Sequence, residues 1–292
     1  MTDSQSILKT SLLDLLYQLR DHNMPLILGG GYGLYLKQVR LQETAQYSTL
    51  IDGNLWPSPR ATEDLDILLS AEVVVDAGRM GPIRTALDEL GYTVIKGAEY
   101  MQFVKTLPAG QYVKVDFLTG PREIFAGDPR VQVGSRRVRL RQSVGLHAHA
   151  IDEALNFENG TMALHIEGRL SSGNTYAAIV QVPSAFTLLL MKLYAFRDRC
   201  QDEDKDLGRH HALDIYRIIA MMSEQEWEQT LQQIRQFGQH PIIIEAARIV
   251  RTLFESPESL GSIRLREHPL WDDGMALDEF LSAIQDVFQQ LD

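Results

Sequence analysis

The chain has 292 residues, an ordinary hydrophobic fraction of 45% and a formal net charge of −11. Such a length buries a full core as one large domain or two modest ones, and the single cysteine, Cys200, excludes a disulfide framework and a cysteine zinc site. The acidic balance argues against broad nonspecific binding to nucleic acid but leaves room for a local basic groove.

A first helix is predicted over residues 4 to 21. Ser4 or Ser6 can cap it, and Ile7, Leu8, Leu12, Leu15, Leu16 and Leu19 recur at helical spacing, as a stripe packed on a sheet would. Residues 25 to 36, PLILGGGYGLYL, read as a short apolar strand, a glycine turn and a helix running to about Lys37. Gly29, Gly30 and Gly31 let the backbone turn tightly and approach a ligand. A helix N-terminus just after them presents free N–H groups and partial positive charge, which suits a phosphate. No Gly-Lys-Ser/Thr follows, and Leu34 stands where a dinucleotide fingerprint needs glycine. Residues 40 to 60, with Gly53, Asn54, Pro57 and Pro59, are predicted as a loop. Arg60 and Thr62 at its end are candidates to hold phosphate; a surface pairing of Arg60 with Glu63 is the alternative.

The stretch RATEDLDILLS, residues 60 to 70, then places Asp64 and Asp66 two positions apart in a predicted strand. Residues i and i+2 share a face, so both carboxylates project together while Leu65 and Ile67 point away. Carboxylates side by side repel, and a hard divalent cation such as Mg²⁺ removes the conflict. A solvated strand end would leave the same spacing. A helix over 79 to 91 and strands near 92 to 96, 100 to 106 and 111 to 118 follow. In YVKVDFLTG, Val113, Val115 and Phe117 take one face, and Lys114, Asp116 and Leu118 the other. Asp116 is thus a candidate third carboxylate, or a surface Asp at a strand end.

Beyond it, RRVRLRQ, residues 136 to 142, alternates as a strand does. Arg136, Arg137, Arg139 and Arg141, with Arg130, form the densest basic patch. It is either a polyphosphate or RNA contact or a sheet edge guarded by charge. His147 and His149 have metal-ligand spacing but no evident third partner. GNTYAAIVQVP, residues 173 to 183, is predicted as a last strand stopped by Pro183, and the rest as helices starting at a Ser184 cap. Lys192 lies on a largely apolar helix; His210 and His211 read as structural. The N-terminus carries Asp3 and no long apolar run, so no signal peptide is expected. No stretch reaches membrane-span length, and one cysteine fits a reducing cytoplasm.

The order Gly29-Gly30, Asp64-x-Asp66 and a later strand Asp116 resembles the nucleotidyltransferase superfamily, whose members resemble DNA polymerase beta. Lys192, Lys205-Asp206 and Asp214-Ile215, together with RATEDLDIL, resemble the AbiEii family, the nucleotidyltransferase toxins of abortive-infection and type IV toxin–antitoxin systems. The motifs span roughly Pro25 to Arg217. Residues 37 to 60 lengthen the family's spacing, and the acidic QDEDKD insert stands where that family is more basic.

The resemblance implies an α+β fold: a small mixed sheet with helices over residues 1–182, then a helical domain over 183–292. It implies two Mg²⁺ ions on Asp64 and Asp66, with Asp116 completing one site. The backbone at Gly29 to Gly31 and the side chain of Lys192, with Arg199 assisting, would carry the phosphates of an NTP. Asp206 would be a supporting carboxylate or general base. The implied reaction moves an NMP to an acceptor hydroxyl on RNA, tRNA or protein, in a toxin with a cognate antitoxin and no membrane partner. Two other readings stand beside it: an aminoglycoside-like small-molecule nucleotidyltransferase, since acidic clefts concentrate cations, and a non-catalytic nucleotide-binding partner protein.

Overall fold

The computed structural model describes residues 3–22, 24–44, 48–60, 62–98 and 100–289. The chain divides into two compact units, one of Met1–Leu36 with Ala61–Pro183 and one of Lys37–Arg60 with Ser184–Asp292. Residues 37–60, expected beside the sheet, therefore group with the helices.

In chain order the first unit holds α1 (Asp3–Leu19), β1 (Ile27–Leu28), the start of α2 (Gly30–Glu43), β2 (Asp64–Leu68), α3 (Ala71–Val74) and α4 (Ala77–Glu89). Then come β3 (Thr93–Val94), β4 (Gln102–Thr106), β5 (Tyr112–Thr119), β6 (Val131–Val133), β7 (Arg137–Leu140), β8 (Ala148–Ala150), β9 (Met162–Arg169) and β10 (Thr175–Val182). The strands form one mixed sheet in the order β6-β7-β8-β5-β2-β1-β10-β9, with β4 also beside β5 and β3 beside β4. Strand β2 runs parallel to β5, and β1 antiparallel to β2. The predicted alternation holds. Leu65, Ile67, Val113, Val115 and Phe117 are fully buried, and α1 lays its leucine stripe across β2 and β5. Each such side chain removed from water contributes about 1.5–3 kcal/mol. Phe103 of β4 meets Phe117 edge to face at 5.8 Å. Asp14 of α1 accepts from the Ser171 N–H at 2.9 Å, tying the helix to the β9–β10 turn.

Two departures from the sequence reading matter. The sheet is larger than expected, because the short β6, β8 and the mixed-polarity β9 carry little local signal. And the arginine strand β7 is not an edge: β6 and β8 pair with it on either side.

The second unit holds the end of α2, α5 (Ala185–Arg199), α6 (Arg209–Ala220), α7 (Glu224–Gln236), α8 (Pro241–Leu253), α9 (Leu260–Arg266) and α10 (Leu277–Phe288). Ser184 caps α5 as predicted, accepting from the Thr187 N–H. Ser223 and Glu226 close a reciprocal capping box on α7. Leu189, Leu193, Phe196, Ile215, Ile219, Phe254 and Phe280 form the core. Residues 37–60 are stitched to the helices by polar contacts: the Tyr216 hydroxyl donates to the Leu55 carbonyl at 3.0 Å, and Thr49 bridges Ser223. No described helix is long and apolar enough to cross a membrane.

Candidate metal and nucleotide site

The parallel ladder sets Asp66 opposite Asp116 and Asp64 opposite Lys114. Opposed residues in a ladder share a face, so the three carboxylates converge. One ligand oxygen from each of Asp64, Asp66 and Asp116 lies within 4.8 Å of the others. The sequence alone carries the Asp64–Asp66 pairing; the arrival of Asp116 depends on a register fifty positions apart in the chain.

Neighbouring polar groups hold the carboxylates in place. Thr62 Oγ1 donates to Asp64 Oδ1 at 2.9 Å, so this hydroxyl orients a carboxylate. Lys114 Nζ and Gln102 Nε2 both donate to Asp116 Oδ2, at 2.8 and 2.7 Å. Asp116 Oδ1 is buried and has no hydrogen-bond partner among the described residues. Burial pushes the Asp116 carboxyl above its usual range, against the pull of Lys114 and Gln102, and the nearby Asp64 charge adds to the rise. Burial acts to lower the Lys114 ammonium, but its bond to Asp116 and the charges of Asp116, Asp64 and Asp66 outweigh this and raise it. An uncompensated acceptor oxygen beside two more carboxylates is an environment short of positive charge. All-oxygen ligands of this kind fit a hard divalent cation such as Mg²⁺.

The glycine turn abuts this cluster. Gly29 N–H donates to the Asp66 carbonyl at 2.8 Å, continuing the β1–β2 ladder into the turn. Gly30 has φ +61°, and a Cβ there would fall 1.8 Å from Asp66 Oδ2. Gly31 follows in the first turn of α2, so the helix begins directly beside the carboxylates. Gly33, not singled out from sequence, is also sterically required: its Cβ would lie 2.2 Å from the Leu28 carbonyl. Lys114 and Gln102 were missed as well. Lys114 was legible as the i−2 neighbour of Asp116 on one strand face, whereas Gln102 becomes a partner only through the β4–β5 pairing.

The remaining sequence candidates belong to the helical unit. Lys192 Nζ meets Asp214 Oδ2 at 2.7 Å, Arg60 Nη2 reaches the same oxygen at 3.3 Å, and Arg217 Nη1 donates to Oδ1 at 3.0 Å. Arg60 thus pairs with Asp214, not Glu63. Burial alone would raise the Asp214 carboxyl, but the charges of Lys192, Arg60 and Arg217 hold it far below its usual range. Arg199 Nη1 lies 3.2 Å from His211 Nε2. Burial, then the charges of Lys192 and Arg199, lower His211 to about 2, so its imidazole is neutral and accepts. Asp206 sits with φ +54° in the segment before α6, where its carboxylate pairs with Arg209. Asp206 makes no described contact with Asp214.

No protein-family model matches the chain, and no curated protein sequence does. Three solved structures are similar in outline. The solution structure of the antibiotic-resistance factor ANT(2'')-Ia is 13% identical with a TM-score of 0.36, over 81% of this chain and 97% of that one. The crystal structure of ANT(2'')-Ia in complex with adenylyl-2''-tobramycin is 12% identical with a TM-score of 0.37, over 83% and 97%. The crystal structure of an antigenic nucleotidyltransferase-like protein from Paracoccidioides brasiliensis is 15% identical with a TM-score of 0.43, over 89% and 94%. Similarity this distant brings no activity and no residue role to this chain.

Proposed function

We propose that the chain is a divalent-metal-dependent nucleotidyltransferase, moving an NMP from an NTP to an acceptor hydroxyl. The convergence of Asp64, Asp66 and Asp116 within 4.8 Å carries this reading. Asp64, Asp66 and Asp116 would hold Mg²⁺, as two ions in this reading, which when bound would supply charge for the pyrophosphate and lower the pKa of the acceptor hydroxyl. The chain's own residues do the positioning. Thr62 orients Asp64, and Lys114 and Gln102 orient Asp116. The N–H groups at Gly29 to Gly31 offer a cradle to phosphate oxygens. In the helical unit, an ammonium and two guanidiniums around one carboxylate leave positive charge for an anion, which supports phosphate binding by Lys192 and Arg60, with Arg199 beside them. Asp206 is the supporting carboxylate or general base of this reading.

The toxin type, with RNA, tRNA or protein as acceptor, follows from the motif resemblance. A small cationic acceptor is the second reading, favoured by the net charge of −11. The test is transfer of label from each α-radiolabelled NTP, with Mg²⁺, to total RNA, to protein and to an aminoglycoside, comparing wild type with Asp66→Ala. Label on RNA or protein that disappears in the variant supports the first reading. Label on the aminoglycoside selects the second. A wild-type chain that binds no NTP with Mg²⁺ rules out both.

A further inference from the structure

The arginines of β7 lie on the same sheet face as the three carboxylates. Leu118, two residues beyond Asp116 and so on its face, pairs with His149 of β8, and His149 pairs with Arg137. Arg139 follows on that face, opposite Gln132 of β6, whose amide oxygen its guanidinium grips at 2.6 and 3.1 Å. The intervening Val138 and Leu140 turn the other way and are buried. With strands ~4.8 Å apart and ~3.4 Å per residue, Arg137 stands about 12 Å from Asp116 along the sheet. Arg136, just before the strand, stands opposite Ala150, whose N–H its carbonyl accepts at 2.9 Å, and so takes the other face. Arg137 is exposed and has no carboxylate partner among the described residues.

An interior strand has no open edge for charge to guard, so the arginines need another cause. Their place in the sheet supplies one. Reading across the strands, the order is β7, β8, β5, β2 and then the glycine turn after β1; β8 borders β5 at Leu118 and Thr119, while β4 borders it at Asp116, so the arginines stand diagonally beyond the carboxylates. Two anion-attracting features flank the carboxylates from opposite sides. The nucleotidyltransferase reading, on which this inference rests, gives the glycine-turn side to the NTP, which leaves the arginine side for the acceptor.

We propose that Arg137 and Arg139 form a phosphate-binding ledge for a nucleic-acid acceptor strand, whose terminal hydroxyl reaches the carboxylates. Side-by-side guanidiniums match a backbone of regularly spaced phosphates. The same charges repel a polycationic small acceptor, and a protein acceptor offers no fixed row of anions. An acidic chain with one basic ledge confines a polyanion to that ledge.

The experiment is fluorescence anisotropy of a labelled single-stranded RNA oligonucleotide with the full chain, as a salt series. The double variant Arg137→Gln/Arg139→Gln should weaken binding about tenfold or more. Its log–log salt slope should fall by about 1.4, at about 0.7 per phosphate contact on a single strand. Arg137→Lys/Arg139→Lys should keep the slope. Unchanged affinity and slope in the glutamine variant would overturn the ledge, as would a wild type that binds no RNA at low salt or that labels only protein. Binding of Mg²⁺–NTP is measured on the wild type without RNA. If it is present while the ledge fails, the ledge alone falls; if it is absent, the nucleotidyltransferase reading falls.

Discussion

At Asp214 a single buried carboxylate meets an ammonium and two guanidiniums, one of them the fully buried Arg217. Taking away its charge leaves cations stranded in low dielectric, so Asp214→Asn should cost about 3–5 kcal/mol, read as a lower urea midpoint. The pH dependence follows from the direction of the shift. The folded carboxyl is held far below the value it has when unfolded. Its contribution is therefore complete above the unfolded pKa, about 3.9, and is lost progressively as pH falls below it toward the folded pKa. Melting temperature from pH 7 to pH 3 should show a steeper acid decline in wild type than in Asp214→Asn; parallel curves would count against the assignment. None of this was legible locally. Asp214-Ile215 was read as a motif fragment, whereas its partners come from positions 60, 192 and 217.

The junction of β1 with α2 shows what an element contributes that its residues do not. Gly29 completes a ladder, Gly30 turns with positive φ, and α2 begins in the space that a side chain would need. In Gly30→Ala the new methyl would overlap Asp66 from its Cβ to its carboxylate, and the backbone would be strained as well. The expected outcome is a stability loss of about 1–3 kcal/mol and at least a tenfold loss of Mn²⁺ affinity, measured by denaturant melts and by electron paramagnetic resonance. An unchanged metal affinity would mean that Asp66 does not need its present position. The strand–turn–helix pattern was readable because its signals are local: apolar run, glycines, apolar helix. The same holds for Asp64-Leu65-Asp66, where period-2 alternation fixes the faces. The role of β7 was not readable. Its alternation predicted the strand, but only pairing with β8 assigns its arginines to the carboxylate face.

For the whole molecule, the sequence foresaw a sheet followed by helices, and that order is present. It did not foresee that residues 37–60 join the helices, because the bonds that recruit them, such as Gln38 to Pro57 and to Arg217, link polar groups with no periodic signature. One further consequence comes from the parallel pairing of β2 with β5. Parallel ladders between distant segments form late, after the cost of closing a long loop has been met. Asp116 therefore adds its repulsion to the Asp64–Asp66 pair only once the native sheet exists. A divalent ion that relieves this repulsion acts on the finished structure and hardly at all on the barrier's folding side. Stopped-flow kinetics should then show Mg²⁺ slowing unfolding while leaving the refolding rate almost unchanged; equal acceleration of refolding would place the cluster in the folding nucleus. In the cell's terms, the ion would act as a latch on lifetime: the chain would fold at its own pace and, once loaded, persist.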